Sequence, residues 1–461
     1  MHVLFATAEI EPIVSTGGLG AASFGLVNAL RRAGVEVTVV LPGYAGYELS
    51  DETVMPLVVP GWVGTARARV GTHEAVGALA LIEAPSIERP HPYVDPQTAQ
   101  GWLDNDHRFF AWSAGVAALA HELRPDVVHV NDWHAAATLS YLDESFASVL
   151  SIHNLAHQGW GDRGWLRALG GRSGAYSERG AVNALAGAIR LADRIVAVSP
   201  TYADEIRTFE GGIGLDGLLS ERGDAVLGIL NGIDTDDWNP ASDPALVANY
   251  SAEALEPRPQ NQAALLGELG LDARPGPLVV SVSRFDAQKG IDMIPAVSHL
   301  LAGTPARFAF LGSGDRSTEA ALASVAAWNP GRIAFRQGYD ASLAHRMFAA
   351  GDFAIVPSRF EPCGLTQMQA MRYGAVPIVS NVGGLHDTVI DVDAEPRTGL
   401  GIVLREVSGA GLVDGVHRAA RLFSKPAAYR RTQARGLARD WSWDGPAVRY
   451  QQLYEGLMSG R

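Results

Sequence analysis

The chain of 461 residues is predicted to fold as an α/β protein made of two doubly wound, Rossmann-like domains. Short apolar runs rich in valine, isoleucine and leucine alternate with helical patterns along both halves of the chain. A proline-rich stretch, 239–277, separates the two sets of alternating elements and indicates an interdomain connection. An apolar content of 47% over this length also exceeds what one ordinary core requires.

Composition excludes several classes of protein. A single cysteine cannot form an internal disulfide framework, which fits a reducing compartment. The net charge of −13 argues against broad binding to nucleic acid or anionic membranes. The uncharged stretch 12–30 contains glycines and serines that make a poor membrane span. We therefore expect a cytoplasmic protein that binds neither nucleic acid nor membrane; its oligomeric state stays open, with a homo-oligomer as one alternative.

The first predicted element is a strand at residues 3–6. A loop containing Gly17 and Gly18 follows it, then a helical pattern, and then a second strand at 36–41. This order predicts a right-handed βαβ crossover. The paired glycines let a ligand approach the backbone closely, although such a loop is more often only a tight turn.

Four further strands, at 127–130, 149–152, 195–198 and 226–230, alternate with helical stretches. Polar residues follow three of them, and parallel sheets bind ligands at this edge. Each one alone is more often a loop-capping residue, so only their convergence favours a site. The residues concerned are Asn131, Asp132, Trp133, His134, His153, Asn154, Asn231 and Gly232.

No metal is expected. The histidines at 129, 134, 153 and 157 lack the spacing and carboxylate company of a zinc helix. Asp234 and Asp236 follow a strand and more often close a turn than chelate a cation. We therefore expect no metal and no cofactor.

The second half repeats the alternation, with predicted strands at 278–281, 308–311, 333–335, 353–356, 376–379 and 401–404. Arg284 and Lys289 follow the first of these strands and form a candidate diphosphate clamp in an acidic protein. Gly312 follows the second strand, with the same close-approach argument as the earlier glycines. Tyr339 is either a base-stacking residue or a half-buried loop aromatic.

The stretch 357–374, PSRFEPCGLTQMQAMRYG, joins a buried strand to a helix through charged residues. Glu361 lies in the turn, and the free N–H groups at the start of the helix suit a phosphate. The alternative is a capped helix with a structural ion pair. The residues predicted to open this helix are Cys363, Gly364, Leu365 and Thr366.

Nine motifs together carry a family resemblance: STGGLG, NDWH, HNLAHQG, AVSPTYADEI, LNGID, SRFDAQKG, GSGD, SRFEPCGLTQ and NVGGLHDTV. In order and rough spacing, over nearly the whole chain, they resemble the bacterial glycogen and starch synthases, glycosyltransferase family five. The resemblance implies the GT-B fold, in which two Rossmann-like domains face a central cleft. It also implies a retaining, metal-independent transfer from a nucleotide diphosphate sugar.

The resemblance assigns roles to residues in matching motifs. Arg284 and Lys289 match the diphosphate-binding pair, Glu361 matches the essential carboxylate, and His153 matches the histidine beside the reacting carbon. Donor contacts are implied for Gly17, Gly18, Gly312, Tyr339, Cys363, Gly364, Leu365 and Thr366. The acceptor side comprises Asp132, His134, Asn154 and Tyr93, although the Tyr93 position also serves donor contacts. The expected domains are 1–240 on the acceptor side, 241–440 on the donor side, and a returning terminal helix at 441–461.

Departures from the family pattern bear on the acceptor. Ser15 and Ala21 stand where the family has lysine and aspartate, and Ala186 stands at a usual lysine. The segment 158–183 is shorter than the one that shapes the family's glucan groove. We therefore prefer transfer of a sugar or sugar-like cyclitol to a small sugar or aminosugar, as in natural-product glycosyltransferases and pseudo-glycosyltransferases. The alternatives are a glycogen synthase that uses ADP-glucose and a catalytically silent nucleotide-sugar binder.

Overall fold

A computed structural model of the protein describes residues 1–44, 46–98 and 100–460. They form two compact units: the first contains residues 1–232 and the segment from Trp443 onward, and the second contains 233–442. Each unit is built on a largely parallel sheet flanked by helices. The predicted α/β class is confirmed.

The first unit has a nine-stranded sheet in the order β12-β11-β7-β6-β1-β2-β5-β4-β3 and a small sheet in the order β8-β10-β9. Its strands are β1 (His2–Ala6), β2 (Glu36–Pro42), β3 (Ser50–Leu57), β4 (Ala66–His73), β5 (Gly77–Glu83), β6 (Val127–Asn131), β7 (Ala147–Ile152), β8 (Trp160–Gly161), β9 (Ser177–Glu178), β10 (Ala181–Asn183), β11 (Arg194–Ala197) and β12 (Val226–Gly228). Its first helices are α1 (Gly18–Arg32), α2 (Asn105–Leu123), α3 (Asp132–Ala136), α4 (Ala184–Leu191), α5 (Pro200–Glu205) and α6 (Asp216–Glu221).

Strand order explains where the first unit gathers its polar residues. β1 lies between β2 and β6, and all three run parallel. The chain therefore changes direction across the sheet at β1, and open α/β sheets bind ligands beside such a switch point. The antiparallel β3 and β4, which extend the sheet beyond β5, were not predicted. The alternation of alanine and arginine at the start of β4 was the available signal, whereas β3 has no such alternation.

The second unit has a six-stranded parallel sheet in the order β15-β14-β13-β16-β17-β18. Counted within the unit, this is the 3-2-1-4-5-6 order of a doubly wound nucleotide-binding domain. Its strands are β13 (Leu278–Val282), β14 (Arg307–Gly312), β15 (Ile333–Gln337), β16 (Phe353–Val356), β17 (Val376–Val379) and β18 (Ile402–Val403). Its helices are α7 (Arg258–Leu269), α8 (Met293–Ala302), α9 (Arg316–Trp328), α10 (Ala341–Ala350), α11 (Thr366–Arg372), α12 (Gly383–Thr388), α13 (Gly409–Phe423) and α14 (Pro426–Ala438).

The proline-rich stretch 239–277 is folded into the second unit instead of forming a linker. The chain divides between the units at Gly232 and Ile233. Asp243 is buried and its carboxylate lies 2.7 Å from His345 Nδ1, and Tyr250 donates to the carbonyl of Tyr373 at 2.7 Å. These buried contacts are tertiary, so composition alone could not reveal them.

The C-terminal helix α15 (Asp444–Ser459) completes the core of the first unit. Tyr454 is fully buried, and its hydroxyl lies 2.8 Å from Nδ1 of His129. Trp443 precedes the helix and packs against α1 at Gly25. A Cβ at Gly25 would lie 1.9 Å from Nε1 of the Trp443 indole.

Gly25→Ala is therefore expected to lower the free energy of unfolding by about 1–3 kcal/mol, because the buried indole must shift. Chemical denaturation measures the loss. Gly217→Ala is the matched control, since Gly217 is also helical and a Cβ there has nothing within 4 Å. Equal stability of the two variants would show that α1 does not depend on this close packing.

Candidate active site

Asp132 organises the polar edge of the first unit. It follows β6 directly and has a positive φ of 52°, a conformation that aspartate and asparagine tolerate better than most residues. Its Oδ1 accepts hydrogen bonds from the backbone N–H groups of His153 at 2.7 Å and Asn154 at 3.4 Å. Burial raises the pKa of the Asp132 carboxyl to about 7. The structure thus brings together three predicted residues that follow two different strands, Asp132 after β6 and His153 and Asn154 after β7.

His153 is held as a neutral imidazole. Its Nε2 lies 3.0 Å from Oδ1 of Asn131, whose Nδ2 donates to the carbonyl of Ala6 at 3.1 Å. Because the Asn131 amide is fixed in this way, its oxygen faces the ring and Nε2 carries the proton. Burial lowers the pKa of His153 to about 4. The ring therefore adds no positive charge to this edge of the first unit near neutral pH.

Tyr93 and His134 stack, with ring centroids 4.9 Å apart. His134 is buried, and its Nδ1 has no hydrogen-bond partner among the described residues. Burial holds the pKa of His134 well below its usual value. Tyr93, His134, Asp132, His153 and Asn154 all belong to the first unit.

Sequence reasoning missed Glu9, which anchors the glycine loop. Its buried carboxylate accepts hydrogen bonds from the N–H of Thr16 at 2.5 Å, the hydroxyl of Thr16 at 2.9 Å and the N–H of Gly17 at 3.3 Å. The hydroxyl of Tyr93 also donates to it at 2.5 Å. Glu9 therefore connects two predicted site segments. An acidic residue just after a buried strand was the signal that could have identified it.

In the second unit, Lys289 and Glu361 form an ion pair with Nζ 2.6 Å from Oε2. The Glu361 side chain is 6% exposed and that of Lys289 is 20% exposed. The buried hydroxyl of Ser358, which sequence reasoning also missed, donates to the same carboxylate oxygen at 2.8 Å. The predicted cation and carboxylate thus contact each other directly.

The loops after β13 and β16 contact each other through hydrogen bonds, an ion pair and a close approach of their backbones. The N–H of Arg359 donates to the carbonyl of Gln288 at 2.8 Å, and its guanidinium binds both carboxylate oxygens of Asp292 at 2.7 and 2.8 Å. At Gly290, with φ +69°, a Cβ would lie 2.2 Å from the carbonyl oxygen of Pro357. Such close approach requires glycine and fixes the position of Lys289.

The predicted phosphate-binding segment differs slightly from expectation. The helix begins at Thr366, with Leu365 at its N-cap and no side-chain cap, and it is seven residues long. Cys363 is buried, whereas Gly364, Leu365 and Thr366 are half-buried. At Gly312, the last residue of β14, a Cβ would lie 1.9 Å from the carbonyl oxygen of Ser283, so this glycine packs against the loop after β13. A role for these residues in donor binding stays a prediction.

Arg284 and Tyr339, two further predicted site residues, are exposed. The Arg284 side chain is 58% exposed and lies 3.4 Å from Asp286, not against Glu361. Tyr339 is 92% exposed, so of the two alternatives a half-buried loop aromatic is wrong. Ser15, at the position of the family lysine, donates to Glu11 at 3.1 Å and to the carbonyl of Gly17 at 3.3 Å. Gly18 is the first residue of α1.

Residues 1–44, 46–98 and 100–460 contain neither a metal-binding cluster nor a membrane-spanning helix. No group of three or more His, Cys, Asp or Glu side chains in these ranges is placed to hold a metal ion. No helix there combines the length and apolarity needed to cross a bilayer. Asp234 caps a turn by accepting from the N–H of Asp236 at 2.9 Å, as its sequence context indicated.

Comparison with known proteins identifies the family. Residues 2–221 match the model for the starch synthase catalytic domain, and residues 276–419 match the model for glycosyl transferases group 1. The glycogen synthase of Acidiphilium cryptum is 41% identical over 483 aligned positions that cover 100% of both chains. The chain belongs to the glycogen and starch synthase family. The glycogen synthase of Rhodopseudomonas palustris is likewise 41% identical, covering 100% of this chain and 99% of its own.

Solved structures agree with this family assignment. The catalytic domain of starch synthase IV from Arabidopsis thaliana, bound to ADP and acarbose, has a TM-score of 0.89 and 32% identity, with 99% of each chain covered. A sucrose-phosphate synthase from Thermosynechococcus elongatus has a TM-score of 0.65 at 19% identity over 100% of both chains, which supports the fold alone. The fold is GT-B, as the resemblance implied, and the protein is a nucleotide-sugar-dependent glycosyltransferase.

Glu9→Gln is expected to loosen the glycine loop, because one amide oxygen cannot replace both oxygens of a carboxylate that accepts four hydrogen bonds. We expect a loss of about 1–3 kcal/mol in the free energy of unfolding and a weaker apparent affinity for the sugar donor. Tyr93→Phe should add less to Glu9→Gln than it costs alone, because the two residues share one hydrogen bond. Glu36→Gln, at an exposed glutamate of the same unit, is the control. Strict additivity of the two losses would contradict the coupling.

Asp132→Asn is expected to change how stability depends on pH. With a folded-state pKa of about 7 and an unfolded value of about 3.9, the folded protein keeps a proton that the unfolded chain releases. The wild type therefore loses stability relative to the variant as pH rises from about 4 to 7, by up to about 1.4 kcal/mol per pH unit. The difference levels off above pH 7. Parallel denaturation midpoints for both proteins between pH 5 and 8 would contradict this.

Proposed function

We propose that this protein is a glycogen synthase that adds glucose from ADP-glucose to the end of an α-glucan. Identity of 38–41% to glycogen synthases along the whole chain carries the proposal. The ADP in the related starch synthase IV supports the choice of base. This proposal replaces our preference for a small acceptor. We propose no metal and no cofactor besides the nucleotide sugar.

The second unit is proposed to bind the donor. Departure of the nucleotide builds negative charge on the diphosphate and positive charge on the sugar. Lys289 and the exposed Arg284 supply cations for the diphosphate, and the carboxylate of Glu361 supplies the opposite charge for the sugar. Before the donor binds, Glu361 holds the ammonium group of Lys289 in position. When a diphosphate binds, Lys289 contacts both the diphosphate and Glu361.

The first unit is proposed to bind the acceptor. Its neutral His153, its Asp132 with a pKa near 7 and its stacked aromatic rings suit uncharged hydroxyl groups better than phosphates. We propose that the sugar is transferred with retention of configuration. His153 would contact the transferred sugar, as the family resemblance implies.

One observation supports a second candidate function, the transfer of a sugar or sugar-like cyclitol to a small acceptor. Ser15 replaces the family lysine and is tied into its own loop by hydrogen bonds to Glu11 and Gly17. Loss of that cation is compatible with an altered donor, including a sugar-like cyclitol. Transfer to small sugars or aminosugars without elongation of glycogen would favour this candidate.

The proposed function predicts robust incorporation of labelled glucose from ADP-glucose into glycogen by the unaltered protein. Glu361→Gln should reduce kcat by about a hundredfold or more while ADP affinity stays equal or rises, because Lys289 loses its competing anion. Lys289→Met should weaken ADP binding, as measured by calorimetry. Glu395→Gln, at an exposed glutamate of the same unit, is the control. Absence of incorporation by the unaltered protein would refute the function, and near-normal turnover by Glu361→Gln would refute that residue's role.

A further inference from the structure

Positive charge is concentrated in one stretch of this acidic protein. The chain has a net charge of −13, yet residues 415–439 contain seven of its 37 lysines and arginines and no aspartate or glutamate. This stretch includes most of α13 and all of α14 in the second unit. Its cations are Arg418, Arg421, Lys425, Arg430, Arg431, Arg435 and Arg439. A local excess of positive charge attracts anions to that part of the surface.

Only the two cations on α13 are paired with carboxylates. Arg418 is buried, with its Nη2 2.6 Å from Asp391 and its Nε 2.7 Å from Asp393. Arg421 lies 3.1 Å from the same Asp393. The other five cations form no ion pair within the part of the chain that the structure describes. The positive charge of α14 is therefore not balanced by a neighbouring carboxylate.

Three of these unpaired arginines, Arg431, Arg435 and Arg439, follow one another at intervals of four residues along one side of α14. We call them the arginine stripe. Arg431 is exposed, whereas Arg435 is half-buried and its Nε donates to the carbonyl of Gly399 at 2.8 Å. The guanidinium carbon of Arg439 lies 4.9 Å from the ring centroid of Trp441. Two of the three guanidinium groups are thus held before any ligand binds, which lowers the entropic cost of binding.

The charges of the arginine stripe repel one another. Burial and, after it, the positive charge of Arg431 lower the pKa of Arg435. Like charges four residues apart on a helix are destabilising. The helix dipole favours cations at the C-terminal end of α14, which explains Arg435 and Arg439, but Arg431 lies about two turns before that end. A bound anion between Arg431 and Arg435 would remove this repulsion.

We propose that the arginine stripe binds a small molecule that carries two or more phosphate groups. The planar fork of a guanidinium group matches two phosphate oxygens at once, which an ammonium group cannot do. From Arg431 to Arg439 the stripe extends over about 12 Å of helix, more than one phosphate group requires.

The proposed site lies on the side of α14 that faces away from α11. Gln433, on the opposite side of α14, donates to the carbonyl of Gly374 at 2.8 Å. A Cβ at Gly436 would lie 3.3 Å from the side chain of Met371 in α11. The arginine stripe is therefore separate from the loops that carry Lys289 and Glu361, and the proposed site does not depend on the proposed function.

Arg431→Glu tests the proposed site, because Arg431 is exposed and makes no ion pair with a described residue. Calorimetric titration with inorganic pyrophosphate should show binding to the unaltered protein that weakens as salt is added. Arg431→Glu should lower the affinity about tenfold or more, the effect of losing one charge-assisted hydrogen bond. Arg431→Lys, which keeps the charge but not the fork, should lower it less. Arg194→Glu makes the same change in charge at an exposed arginine of the first unit and should have no effect.

Pyrophosphate is also expected to bind the proposed donor loops, so each titration is repeated with Lys289→Met. An effect of Arg431→Glu that persists in this background supports the arginine stripe as a second site. Loss of all pyrophosphate binding in Lys289→Met alone would overturn the proposal, as would equal affinity and stoichiometry for Arg431→Glu and the unaltered protein. Binding of heparin through Arg431 without binding of pyrophosphate would overturn it in favour of an extended polyanion.

Glucose incorporation separates this proposal from the proposed function. Without pyrophosphate, Arg431→Glu should incorporate glucose from ADP-glucose into glycogen at the rate of the unaltered protein. If the unaltered protein incorporates no glucose but its pyrophosphate binding depends on Arg431, the function fails and the phosphate site stands. If it incorporates glucose and its pyrophosphate binding does not depend on Arg431, the phosphate site fails and the function stands.

Discussion

The ion pair between Lys289 and Glu361 depends on the order of strands in the second sheet. β13 and β16 are far apart in the chain but adjacent and parallel in the sheet, so the loops that follow them start side by side. Hydrogen bonds between Arg359 and the opposite loop, and the close approach at Gly290, then fix the distance between ammonium and carboxylate. Removing this cation would leave the buried carboxylate without its charge partner, so the ion pair also contributes to the stability of the second unit.

The first unit also gathers polar residues at a switch point of its sheet, but its carboxylates have different partners. Its switch point lies between β1 and β6, and there Glu9 and Asp132 accept hydrogen bonds mainly from backbone N–H groups. These carboxylates position loops instead of pairing with arginine or lysine. The residues proposed to bind the acceptor in the first unit therefore include no lysine or arginine, whereas the proposed donor-binding loops of the second unit carry Lys289 and Arg284. Such a division matches a reaction that moves a sugar from a diphosphate to a hydroxyl group.

The structure shows which contacts are made at two positions where the sequence departs from the family pattern. Ser15, which stands where the family has lysine, forms hydrogen bonds within its own loop to Glu11 and to the carbonyl of Gly17. The shortened segment 158–183 still folds as a small sheet and presents a tryptophan. Both observations make the changes compatible with glycosyl transfer, and the full-length likeness to glycogen synthases favours a glucan as acceptor.

The sequence alone determined the α/β class, most of the parallel strands in both sheets and the polar residues that follow them. This was possible because buried parallel strands are short apolar runs with polar residues at their ends. It also determined the family, through motifs spread along the whole chain. Only the tertiary structure decided that Lys289 contacts Glu361 while Arg284 does not, that Glu9 joins the glycine loop to Tyr93, and that the chain divides between the units at Gly232 and Ile233. Each of these depends on which strands are neighbours and which loops meet, and neither composition nor periodicity encodes distances between residues far apart in the chain.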